Sequence, residues 1–167
     1  EKPEPEICPV CDNDPCVCDT PPSGIITVKL ADNKVREIDS TVRTSFWSPS
    51  GTPISSSEFI KLLFGDLPSF FSSEEELRKL WSKPSTRKKL LVELEEKGYT
   101  QAQLEDLRQL VHGENSDLFD VLSYVAYHKD LVPRFERAQK AKIQLGDYNA
   151  KQQEFLNFVL NQYVAVG

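Results

Sequence analysis

The sequence predicts a mainly α fold, a helical bundle of six or seven helices with a small N-terminal antiparallel β element and a Cys/Pro-rich leader. Three observations predict it. From residue 53 onward, apolar residues recur at helical spacing. In the same stretch serine–glutamate pairs and glycines fall where helices should begin and end. Ahead of it, two short runs of partly alternating polarity flank Ala31, Asp32 and Asn33, a turn-forming group.

Residues 1–24 contain Pro3, Pro5, Pro9, Pro15, Pro21, Pro22 and all four cysteines. Such a composition neither continues a helix nor builds an apolar core unaided, so an acidic linker is expected unless something staples it. Residues 25–52 should form the β element. Ile25 to Leu30 and Lys34 to Ile38 are candidate strands, and Thr41 to Trp47, rich in Thr, Val and aromatics, offers a third.

Residues 53–167 form the expected helical domain. Ser55 with Glu58, and Ser72 with Glu75, have the S-x-x-E spacing of a capping box. Gly65, Gly98 and Gly113 sit at expected stops, and Pro84 and Pro133 suit first turns. These marks place helices near 56–64, 73–82, 84–97, 101–112, 117–128, 133–143 and 150–164. Leu104, Leu107, Leu110 and Val111 make an ordinary amphipathic stripe opposite Glu105, Asp106, Arg108 and Gln109. Leu118 to Tyr127 and Phe155 to Val164 are apolar almost all round, so both are expected at the centre of the bundle. No period of roughly 20 to 50 residues recurs, which argues against a repeat array.

With 167 residues, 39% hydrophobic and 28% charged, the chain supports one ordinary domain plus an appendage. It contains no methionine, and we expect a piece of a longer polypeptide. No apolar run approaches the roughly 20 residues of a membrane span, and the N-terminal residues lack the pattern of a secretion signal, so a cytoplasmic location is expected. Of the net charge of −6, the first 20 residues supply −5 through Glu1, Glu4, Glu6, Asp12, Asp14 and Asp19 against Lys2. The low pI therefore neither favours nor excludes nucleic-acid contact by the folded part.

Cys8, Cys11, Cys16 and Cys18 lie within eleven residues and could close around one tetrahedral ion. Structural zinc is the leading reading, with free thiols, disulfides and an iron–sulfur cluster as alternatives. Four cysteine ligands would leave no open coordination position. His112 and His128 fall near helix C-termini and read as structural. No phosphate-binding loop, dinucleotide fingerprint or H-E-x-x-H motif occurs, so catalysis by this chain is not expected. Two basic clusters stand out. One comprises Arg78, Lys79, Lys83, Arg87, Lys88 and Lys89, partly answered by Glu74 and Glu75; the other runs from Lys129 to Lys142. Arg134, Arg137 and Lys140 share a helical stripe that could follow a phosphate backbone or meet a partner, although an ordinary solvated face is the commoner meaning.

The segments TSFWSPSGTPISSSEFIKLLFG, LWSKPSTRKKLLVELEEKGY, NSDLFDVLSYVAY, RFERA and YNAKQQEFLNFVLNQYVAVG together resemble the C-terminal region of the R subunit of type I restriction-modification enzymes. The resemblance covers roughly residues 8–167, including the CPVC and CVC elements, and departs at Val132, Pro133 and Phe135, where a Thr-Arg-Glu type of sequence surrounds the arginine in the family. It implies a large parent with a nuclease domain and two RecA-like motors that use ATP and Mg to translocate duplex DNA. It further implies that this domain is non-catalytic and docks the motor on a methyltransferase core of M and S subunits. No catalytic residue of the family maps onto the present sequence. The same resemblance makes an exposed apolar or mixed patch an expectation, with Phe59, Phe64, Phe70 and Phe71 as candidates, although aromatics near short helices more often belong to the core. The alternative is a DNA-binding module whose N-terminal segment is ordered by zinc, its binding marked by steep salt dependence.

Overall fold

The computed structural model describes residues 24–42 and 44–167. The four cysteines and the rest of the leader lie outside the described residues.

Strand β1, Ile25–Lys29, pairs antiparallel with β2, Val35–Asp39, in a register running from Ile25 opposite Asp39 to Lys29 opposite Val35. The turn between them places Asp32 and Asn33 at φ of 59° and 57°, the left-handed region these two residue types tolerate best. Strand alternation sends Val28 and Ile38 into the core and carries Arg36 in with them. A second hairpin pairs β3, Phe46–Trp47, with β4, Pro53–Ile54. The β element is thus two separate two-stranded sheets, and Pro53 and Ile54, the first residues of the expected helical region, belong to the second.

Seven α-helices follow among the described residues: α1 Ser56–Asp66, α2 Glu74–Ser82, α3 Pro84–Glu96, α4 Gln101–Leu110, α5 Leu118–Tyr127, α6 Arg134–Ile143 and α7 Ala150–Val166. The box at Ser55 and Glu58 forms as expected, the Glu58 N–H donating to Ser55 Oγ at 3.2 Å and the Ser55 N–H to Glu58 Oε2 at 2.8 Å. The second box does not form between Ser72 and Glu75, and the capping serine is one residue later than expected. Ser73 caps the Glu76 N–H at 3.2 Å, and the Glu76 carboxylate accepts from the Ser72 N–H at 2.8 Å.

Two of the three glycines do not end helices as expected. Gly65 lies inside α1, which runs one residue further before a 3-10 turn at Leu67–Ser69, where Pro68 offers no N–H. After α4 it is His112, at φ 58°, that takes the left-handed position, with Gly113 donating to the Arg108 carbonyl at 2.7 Å. Pro133 precedes α6 as its N-cap, whereas Pro84 does occupy the first position of α3.

The core gathers Phe59, Ile60 and Leu63 of α1, Leu77 of α2, Leu90 and Leu94 of α3, Leu104, Leu107 and Leu110 of α4, and Val121, Leu122 and Val125 of α5. The apolar run of α5 is at the centre, as its sequence predicts. The apolar run of α7 is not: no residue of that helix is buried. A helix apolar on every face needs neighbours on every side. Here the principal neighbours of α7 are α6 and the short 3-10 segment Gln144–Asp147, which together cover one side. Nor do the four phenylalanines form a surface patch. Phe59 and Phe71 are buried, and Phe64 and Phe70 pack half-buried against the core.

Candidate interaction surfaces

Arg134, Arg137 and Lys140 lie on one helix, but they do not make a row of free cations. Arg134 is buried, its Nη2 donating to the Glu114 carbonyl at 3.0 Å while its backbone N–H donates to the Asn115 carbonyl at 2.6 Å. Arg137 turns inward to Asp120 of α5, Nη2 to Oδ1 at 2.6 Å. Lys140 pairs with Glu136 at 2.8 Å on the surface. Local spacing offers Glu136 for Lys140, but the Asp120 carboxylate on α5 and the Glu114 carbonyl in a distant loop lie beyond its reach.

Asp120 is the hub of that contact. It is buried, its Oδ2 accepts the Asp117 N–H at 3.2 Å, and Asp117 in turn accepts the Tyr163 hydroxyl proton of α7. Burial pushes the Asp120 carboxyl up from its ordinary value, and the Arg137 guanidinium pulls the other way. Burial and the Asp117 carboxylate also raise the Tyr163 phenol, which therefore stays protonated and able to donate. Helices α6 and α7 thus reach α5 and its N-cap through polar groups, and the buried apolar residues of this part are Ala138 of α6 and Leu145 of the 3-10 segment between the two helices. The sequence carried a hint of this hub. A carboxylate inside the apolar run LFDVLSY must find a partner or pay a large desolvation cost.

The outer side of α7 presents Phe155, Phe158, Val159 and Val166, spaced i, i+3, i+4 and i+11 along one stripe. Phe155 is 65% exposed and Phe158 60%, and Ile143 at the end of α6 is 82% exposed. Tyr148, Phe155 and Leu156 line an open groove at the start of this stripe. The inner stripe of the same helix, Leu156, Leu160, Tyr163 and Val164, is partly covered.

In the first basic cluster, Arg78 pairs with Glu74 at 2.6 Å and Lys89 with Glu93 at 3.6 Å. Arg87 stacks over Trp81, its guanidinium carbon 5.8 Å from the ring centroid. Both histidines sit at helix ends as expected, and each adopts a left-handed backbone: His112 faces Asp39 at 2.9 Å, and His128 ends α5 at φ 55°. Among the described residues no group of three or more His, Cys, Asp or Glu side chains converges as a metal site would require. No helix among them is long and apolar enough to cross a membrane.

The model of one protein family, EcoEI R protein C-terminal, matches residues 57–167, from the first turn of α1 through α7. No curated protein and no solved structure matches the chain.

Proposed function

Because the chain belongs to the EcoEI R protein C-terminal family, the C-terminal part of the R subunit of type I restriction enzymes, we propose that it is a non-catalytic assembly module. It docks the ATP-dependent translocase and endonuclease subunit onto the methyltransferase core of M and S subunits, in the cytoplasm. The observation that carries this reading is the outer stripe of α7. An aromatic and aliphatic row at helical spacing, left in water on a helix already attached to the bundle by its other side, is the anatomy of a helix that completes an interface. Each such side chain fully buried against a partner contributes about 1.5–3 kcal/mol. Arg137 and Arg134 serve this function indirectly, by fixing α6 and therefore α7 on the core.

The test is a pull-down of the chain with the cognate methyltransferase complex at low and high salt, with and without duplex DNA. Binding that persists at high salt without DNA, and is abolished by Phe155→Glu with Phe158→Glu, is the expected result. Capture only in the presence of DNA, lost steeply as salt rises, would sink the docking reading.

A further inference from the structure

From Leu77 to Val92 the chain contains six cations and no acidic residue. The segment forms the end of α2, the junction at Lys83 and the first two turns of α3, and it is a corner of the molecule. Arg78 and Lys89, near its two ends, have the carboxylate partners described above. For Lys79, Lys83, Arg87 and Lys88 no carboxylate lies within ion-pair distance among the described residues. Lys79, Lys83 and Lys88 are exposed.

The needs of the helices explain only half of this charge. In α2 the acids Glu74, Glu75 and Glu76 occupy the first turn and Lys79 the last, which suits the helix dipole. In α3 the order is reversed. Lys83, Arg87, Lys88 and Lys89 crowd its N-terminal half, no acid stands in the first turn, and Glu93, Glu95 and Glu96 crowd its C-terminal end. Cations toward a helix N-terminus and acids toward its C-terminus both oppose the dipole. The Lys89–Glu93 pair also has the less favourable orientation, lysine before glutamate. Lys83, at the N-cap, provides no side-chain hydrogen bond to the first turn. An external anion at this corner would be drawn by the lysines and the dipole together.

We infer that the α2–α3 corner is a contact surface for the phosphate backbone of duplex DNA, separate from the apolar stripe of α7. The chemistry favours a repeating polyanion read without base contacts. Lys79 on α2, Lys83 at the junction and Arg87, Lys88 and Lys89 on α3 distribute the charge over two helices, so it is extended and not a point, and along α3 alone Lys83 to Lys89 spans about 9 Å. The one aromatic ring beside it, Trp81, is engaged by Arg87 and so is no free platform for stacking an unpaired base. The corresponding line on α6, Arg134 and Arg137, is consumed internally.

The experiment is fluorescence anisotropy of a labelled duplex of arbitrary sequence with the 167-residue chain, over a range of salt. The triple variant Lys79→Gln, Lys83→Gln, Lys88→Gln is compared with the control Lys140→Gln, Lys142→Gln. The triple variant should weaken binding at least about tenfold at about 50 mM salt and reduce the slope of log K against log salt by about 2.7, while the control changes little. Thermal unfolding of the triple variant should stay close to the parent's, since unfavourable charge leaves the start of α3 at Lys83 and Lys88 while one favourable charge leaves the end of α2 at Lys79. Equal affinity and slope for the triple variant and the parent, or no salt-dependent binding by the parent, would overturn the inference. So would loss of methyltransferase capture by the triple variant with DNA binding intact, which would assign the corner to an acidic protein surface. Failure of the Phe155 and Phe158 variants to affect capture would overturn the docking reading and leave this one standing.

Discussion

Arg36 caps α5 from another part of the chain: its Nε–H is shared between the carbonyls of Tyr124, at 2.7 Å, and Val125, at 3.0 Å. Those carbonyls belong to the last turn, where no further helical N–H is available to all of them, and a cation there also suits the helix dipole. Tyr124 returns the contact, its hydroxyl accepting the Glu37 N–H at 2.8 Å and donating to the Glu37 carbonyl at 2.9 Å. One guanidinium and one phenol therefore clamp the first hairpin to the central helix. Replacing Arg36 with Ala leaves the Val125 carbonyl without its donor, while the Tyr124 carbonyl keeps the His128 N–H at 2.9 Å, and should cost about 2 kcal/mol in urea unfolding. Arg36→Lys should recover less than half of that, because an ammonium cannot reproduce the fixed fork.

The attachment of α6 and α7 to α5 predicts a local rather than a global weakness. Arg137→Ala strands the buried Asp120 carboxylate. With Arg137 about one third exposed, the cost should be about 2 kcal/mol, below that of a fully buried pair. Hydrogen exchange is the deciding measurement. Amides of 134–166 should exchange at least about tenfold faster while those of α1 and α4 are unchanged. Tyr163→Phe should act in the same segment, with a smaller effect of about 1 kcal/mol. Uniform acceleration across α1 to α7 would show that the pair holds the whole bundle and not the outer hairpin.

The helical part of the fold was legible because its signals are local. Caps, first-turn prolines and the 3.6-residue period act within a few residues, and the expected helices near 101–112 and 117–128 match α4 and α5 to within two residues at each end. Contacts between elements were not legible in this way. Nothing near Arg137 in the sequence announces Asp120, and nothing near Arg134 announces the carbonyl of Glu114. The apolar residues of α7 predict a central helix only if each apolar face is covered within this chain, and here one side is left exposed. The error of position is the same observation that supports docking. Arg36 had a usable signal, since strand alternation puts it in phase with buried Ile38.

Acid should unfold the protein by way of a few identifiable carboxylates. Asp39 accepts from the Thr41 hydroxyl at 2.6 Å and the Thr41 N–H at 2.8 Å, which hold its carboxyl below the usual range, with a smaller contribution from His112. Ser55 does the same for Glu58, Arg78 for Glu74 and Ser72 for Glu76. A carboxyl lowered in the native state contributes stability above its unfolded-state value and loses it as pH falls through the native value. Asp120, raised by burial, has the opposite sign and offsets part of the effect. The melting temperature should be nearly flat from about pH 7 to 5 and fall below about pH 4. Asp39→Asn should lower it at neutral pH and make the acid decline shallower, and an unchanged decline would remove Asp39 from the set.

Gly65 and Gly98 look alike in sequence, each a glycine at an expected helix end, and they should respond to alanine in opposite directions. Gly98 ends α3 at φ 105°, with the Gly98 N–H donating to Glu95 and the Tyr99 N–H to Leu94, both at 2.9 Å, the paired bonds of a Schellman motif. A Cβ there would also stand 2.7 Å from Pro49 Cα, a backbone atom that cannot swing aside. Gly98→Ala should therefore cost about 2–3 kcal/mol, from the left-handed strain and the clash together. Gly65 lies in the last turns of α1 with nothing within 4 Å of its would-be Cβ. Gly65→Ala should stabilise by about 0.5–1 kcal/mol, because alanine loses less backbone freedom on entering a helix. Urea titrations of the two variants beside the parent separate these effects directly. Similar losses at both sites would mean that Gly65 is needed as a stop, and that α1 does not extend through it in solution.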